Sequence, residues 1–186
     1  MYSKRKMSNN REVAIVEPTA EEMEVVRNTW HVVAHNRLPD DDKNVSPSLA
    51  FGLAFYNAMF REDPELEKLF PNIMKQARAL TGMISYITKP SAGLVELRQS
   101  MRELGSRHAF YGVKMEMFTV VGQAFITALQ ERLEDKYDTE TGQCWLKAYI
   151  FISHNMKIGL ESQLNWEEGR QNASDEKKPK RKFCSI

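Results

Sequence analysis

Between residues 19 and 165 the apolar side chains return every three or four positions, and nowhere do they alternate over the length of a strand. A chain patterned in this way buries its apolar faces by packing helix on helix, so the fold class is all-α. The periodic segments follow one another with short breaks and no internal repeat. With 186 residues, 42% of them hydrophobic, the chain can enclose one core and has little left over for a second domain.

The segments carry their own start and stop signals. Thr19-Ala20-Glu21-Glu22 is a capping box, with a hydroxyl for the free amides and a glutamate reaching back, and Met23, Val26, Trp30 and Val33 follow at helical spacing. Residues 36–47 contain Pro39, Asp40, Asp41, Asp42, Asn44 and Ser46, a composition that cannot bury itself and reads as a long, mobile connection. The aspartate run lacks the spaced ligands and terminal glutamate of a calcium loop. Ser46-Pro47 opens the next helix as cap and first turn, with Leu49, Leu53, Tyr56 and Phe60 as its inward stripe and Gly52 leaving room for a second backbone. Asp63-Pro64 begins a short helix that ends near Phe70. Over residues 73–87 two adjoining faces, Ile73-Ala77-Leu80-Ile84-Ile87 and Gln76-Leu80-Met83-Ile87, predict a helix stopped by Pro90, Ser91 and Gly93. Phe118, Val121, Phe125, Leu129 and Leu133 predict a long helix, residues 138–142 a turn, and Trp145, Tyr149, Ile152, Met156 and Leu160 the last helix.

One histidine stands out in this pattern. Leu97, Met101, Leu104 and His108 are separated by four, three and four residues, which places them on one stripe of a helix that Gly112 ends. His108 therefore faces the core. Spacing alone leaves two readings open, a buried imidazole satisfied by a neighbour and a metal ligand.

Charge and cysteine usage exclude several function classes. The net charge is +1, but residues 1–11 and 177–186 hold nine basic side chains and no acid; taking those nine from the total leaves residues 12–176 at −8. An acidic body argues against specific nucleic-acid binding. Cys144 and Cys184 are the only cysteines, so no disulfide framework is implied and a reducing, cytoplasmic setting is expected. The chain shows no apolar run of the roughly 20 residues that a membrane span needs and no signal-peptide core. Lys177-Lys178-Pro179-Lys180-Arg181-Lys182 beside Cys184 can be read as a membrane-surface contact that acylation would strengthen, as a nuclear-localisation patch or as a solvated tail. The methionines on inward stripes read as core filling. No nucleophile–base motif, phosphate loop or thiolate metal cluster is present.

The arrangement resembles the globin family. The segment Leu104-Gly105-Ser106-Arg107-His108, with Tyr111-Gly112-Val113-Lys114 and Phe118-Thr119-Val120-Val121-Gly122, is similar to the proximal region of neuroglobin-like members, and the pairing runs without a gap from about Gln76 to Gly159. Trp30, and Asp63-Pro64 through Leu69-Phe70, match as separate blocks. The resemblance implies a globin fold over residues 19–165, helices around a haem pocket, between a flexible basic arm (1–18) and a basic disordered tail (166–186). It also implies haem b, with iron, as cofactor and a ligand of the dioxygen, nitric oxide or carbon monoxide type.

Carried over position by position, His108 is the proximal iron ligand, Phe70 wedges against the porphyrin, Gln76 takes the distal position usually held by histidine, Leu80 lies one turn further on, and Tyr56 belongs to the distal pocket. Val113, Phe118 and Tyr149 would line the pocket. The remaining histidines, His31, His35 and His154, fall outside the distal helix, so an open or water-occupied sixth position is expected. The connection from Phe70 to Gln76 is shorter than in most globins, and the 36–47 connection is longer. The expected function is reversible binding of a diatomic gas, without catalysis, for storage, scavenging or sensing. The alternatives are a haem redox enzyme acting on nitric oxide or nitrite, and a haem-free interaction module.

Overall fold

The computed structural model describes residues 15–91 and 93–176. The arm's residues 1–14 and the basic segment 177–186, with Cys184, lie outside the described residues. Among the described residues six α-helices form in order: α1 (Ala20–His35), α2 (Pro47–Glu62), α3 (Ile73–Ile87), α4 (Leu94–Ala109), α5 (Met117–Leu133) and α6 (Thr139–Glu176), with 3₁₀ segments at Pro64–Leu69 and Glu134–Lys136. Among the described residues there is no strand.

The expected caps form. Thr19 Oγ1 accepts from Glu22 N–H at 3.2 Å while the Glu22 carboxylate accepts from Thr19 N–H at 2.7 Å, and the Ser46 hydroxyl accepts from Leu49 N–H at 3.3 Å. Asn72 caps α3, so only Pro71 and Asn72 stand between Phe70 and the helix that carries Gln76. That is the physical form of the short connection. Asp138, read from sequence as part of a turn, instead caps α6, its carboxylate accepting from Thr141 N–H at 2.7 Å. The helix then continues to Glu176, well into the segment that composition assigns to a disordered tail. Local bonds support the extension: Gln163 donates to Glu167 at 2.9 Å, and the Arg170 guanidinium lies 4.7 Å over the Trp166 ring.

The core sits among α1, α2, α5 and α6 and is organised by rings. Trp30 meets Phe51 at 5.3 Å, Phe51 meets Phe125 at 5.6 Å, and Phe125 meets Trp145 at 5.3 Å, so aromatic contacts run across all four helices. The two buried indoles are satisfied, Trp30 by Ser85 on α3 at 3.1 Å and Trp145 by Thr29 at 2.8 Å.

Two close helix crossings position the remaining elements. On α2, a Cβ at Gly52 would stand 2.9 Å from the Cβ of Ala77 on α3. This crossing lies one turn before Tyr56 and one residue after Gln76, so it sets those two positions relative to one another. The α4–α6 crossing is tighter still: a Cβ at Gly105 would fall 1.9 Å from Met156 O, and one at Gly159 would fall 1.9 Å from Arg102 O. Backbone rests on backbone there, and Ser106 Oγ donates to Gly159 O at 3.1 Å across the contact.

The connection over residues 36–47 departs from its reading as mobile. At its middle Asp41 receives both guanidinium ends of Arg132 from α5, at 2.5 and 2.7 Å, with the Arg132 side chain buried and Asp41 largely so. The same guanidinium reaches Asn36 O at 3.4 Å, while Arg132 Nε has no partner among the described residues. Composition cannot show this anchor, because the partner is 91 residues away.

Candidate functional site

Helix α4 presents His108 on the same stripe as buried Leu97 and Met101, as its spacing requires. Its ring is half-buried, and Nδ1 lies 2.8 Å from the Leu104 carbonyl one turn earlier. A carbonyl only accepts, so Nδ1 carries the proton and Nε2 keeps a free lone pair. Burial pushes the imidazole's pKa down, outweighing the opposing pull of the Leu104 bond. A neutral, tautomerically fixed ring with an unshared lone pair is the state that a metal ligand needs. Tyr111 meets its ring edge-on at 6.3 Å, and Val113 N–H, at 3.3 Å from His108 O, closes the turn after the helix.

A second group forms around Tyr56. Its ring is buried and meets Phe55 at 5.0 Å, Phe70 at 5.0 Å and Phe60 at 5.9 Å; Phe60 and Phe70 in turn stand 6.0 Å apart. Among the described residues the Tyr56 hydroxyl makes no hydrogen bond, and burial pushes its pKa up to about 12. It is a protonated donor with no acceptor among the described residues. Gln76 is half-buried on α3, and its side-chain amide likewise makes no hydrogen bond among the described residues. Leu80, one turn on, packs against the core.

The structure therefore brings Tyr56 and Phe70 into contact, and α3 carries Gln76 and Leu80 from just beyond Phe70. Phe118 and Tyr149 form a third pair: Tyr149 Oη donates to Phe118 O at 2.5 Å. Both also border a groove of about 610 Å³ between α5 and α6, and the Lys157 ammonium lies 5.3 Å over the Phe118 ring. Among the described residues no ring contact or hydrogen bond joins the Tyr56 group or the Phe118–Tyr149 pair to His108. Sequence reasoning missed the Phe55 ring and the Leu104 carbonyl. Leu104 could have been found, since a histidine in the last turn of a helix commonly bonds the carbonyl four residues back.

This donor set can be tested against an iron porphyrin. A single neutral imidazole with a free nitrogen, an aromatic wedge at Phe70 and an unpartnered phenol in an apolar setting suit a flat, apolar ring whose iron needs one nitrogen ligand and whose gas ligand needs a hydrogen-bond donor. The residues fit.

The model of the globin family matches residues 53–156, more than half of the chain and the part that carries all of these groups. The chain belongs to the globin family. Haem is the cofactor of these proteins, and this globin is a haem-binding protein. It is 23% identical over 156 residues to the neuroglobin of Tetraodon nigroviridis, covering 76% of this chain and 91% of the relative. It is also 27% identical over 123 residues to the flavohemoprotein of Bacillus subtilis, covering 64% of this chain but 30% of that protein. The fold is shared with a hexacoordinated haem protein from an anhydrobiotic tardigrade, at a TM-score of 0.65 and 16% identity over 77% of this chain and 95% of that one. It is shared as well with a bacterial globin from Campylobacter jejuni, at a TM-score of 0.58 and 19% identity over 81% and 99%. Among the described residues no helix is long and apolar enough to cross a membrane.

Proposed function

We propose that this globin binds a diatomic gas reversibly at a haem held by His108, dioxygen being the first candidate, and serves storage, scavenging or sensing. Haem, when bound, supplies a ferrous iron that takes one ligand from the protein and one gas molecule from solution. His108 gives Nε2 to it, oriented by the Nδ1–Leu104 bond and kept neutral by burial. Phe70 would pack against the porphyrin, and Val113, Phe118 and Leu80 would supply apolar walls. Tyr149, through its bond to Phe118, braces α5 against α6 behind them. Tyr56 and Gln76 donate to the gas, each charge-assisted contact contributing about 1.5–3 kcal/mol.

The observation that carries this reading is Tyr56, whose ring is buried among phenylalanines while its hydroxyl has no hydrogen-bond partner among the described residues. A donor held in reserve for a ligand accounts for it. The tardigrade protein is a hexacoordinated haem protein; in this reading Gln76 takes the distal position, and His31, His35 and His154 lie on α1 and α6. On this reading no second imidazole would close the gas side.

Absorption spectra of the purified chain in ferric, ferrous and carbon-monoxide-bound forms test the proposal. A Soret band that is lost in His108→Ala is expected, and normal haem uptake by that variant would sink it. Similarity to the globin part of flavohemoproteins favours a second reading, in which the same site oxidises nitric oxide or reduces nitrite. Steady turnover with a supplied reductant, abolished in Tyr56→Phe, would favour it over reversible binding.

A further inference from the structure

In the last two turns of α1 stand His31 and His35, one turn apart and both exposed. Their rings lie 4.3 Å apart, centroid to centroid, and only 28° from parallel. His35 Nδ1 stands 2.8 Å from His31 O, so it carries the proton and Nε2 is left with a free lone pair. This is the bond that prepares His108, at the same length and again in the last turn of a helix. Among the described residues the His31 ring has no hydrogen-bond partner, so both of its nitrogens are open to an ion.

We propose that His31 and His35 form a chelating site for a divalent transition ion of the zinc type, separate from the haem. Zinc binds imidazole nitrogen at about 2.0–2.1 Å, so two nitrogens on one tetrahedral ion stand roughly 3.4 Å apart. As stacked, the rings' in-plane lone pairs run nearly parallel; because both side chains are exposed, one ring can turn about its side-chain bonds to aim its nitrogen at the same ion as the other. Spacing of four residues along one helix face is also the spacing that pairs histidines on one zinc ion in helical metal motifs. Among the described residues no group of three or more His, Cys, Asp or Glu is arranged to hold a metal, so the ion's other positions belong to water. Such a site is exchangeable and takes up metal from solution. The ring nitrogens must be neutral to bind, and the helix holds the pair together at little cost in entropy.

Calorimetric titration of the haem-loaded full chain with zinc chloride tests this. One equivalent should bind, at least tenfold more weakly in His31→Ala and in His35→Ala, and unchanged in His154→Ala. The Soret band and helix content of each variant should match the parent, since both side chains are exposed. No zinc uptake by the parent chain, a loss in only one of the two variants, or equal binding by both would overturn the proposal.

Discussion

The Tyr56 side chain combines two requirements that a core position ordinarily separates. Its ring is held by three phenylalanines, which fixes its direction, while its hydroxyl is protonated at any physiological pH and bonded to nothing among the described residues. Replacing it by phenylalanine removes a donor without removing a protein hydrogen bond. Tyr56→Phe should therefore leave the melting temperature of the haem-free chain unchanged or slightly raised, while speeding gas release roughly ten- to hundredfold through one lost contact of about 1.5–3 kcal/mol. Stopped-flow displacement of dioxygen by carbon monoxide measures the second effect. A clear loss of stability together with an unaltered release rate would show the tyrosine to be packing alone. Gln76→Leu should act in the same direction, and the two changes should not add fully, because both donors would address one ligand.

Helix α4 owes its position to two glycines, and a larger residue at either has nowhere to go. A methyl group at Gly105 would overlap the Met156 carbonyl, which belongs to backbone and cannot swing aside. Gly105→Ala is expected to cost about 1–3 kcal/mol in chemical denaturation and to quicken haem loss to an acceptor protein, because the helix that shifts carries His108. Gly82 on α3 makes the contrast: it is exposed, and a Cβ there meets nothing within 4 Å. Gly82→Ala should stabilise the chain by up to about 1 kcal/mol, the ordinary helix preference of alanine over glycine. If both substitutions behaved alike, the α4–α6 contact would not be the constraint described.

Across the whole molecule the Asp41–Arg132 pair ties the 36–47 connection to the end of α5, and so joins the two ends of the core. Arg132 on α5 is almost fully buried and depends on this carboxylate for neutralisation. Removing the partner in Asp41→Ala should cost about 3–5 kcal/mol, the usual penalty for leaving one buried charge alone. The Arg132 guanidinium also holds the Asp41 carboxyl below the usual carboxylate range. Its contribution is thus complete above the unfolded value near pH 4 and declines as the pH falls towards the lowered folded value. Urea titrations between pH 3 and 6 should show a stability loss on acidification that is smaller in Asp41→Asn. An identical slope in the variant would place the acid sensitivity elsewhere.

Sequence by itself determined the helices, their caps at Thr19 and Ser46, the inward register of His108 and the family, because each is written in spacing of a few residues or in an ungapped run of similar ones. It could not show that Asp138 caps α6 and that the helix runs from Thr139 to Glu176, since a turn composition and a helix cap use the same residue types. Nor could it show that the hydroxyl of Tyr56 lacks a partner, that Gly105 and Gly159 lie at the α4–α6 crossing, or that Asp41 pairs with Arg132. Those facts depend on which side chains meet across 50 to 100 residues, and only the packing of one helix on another decides that.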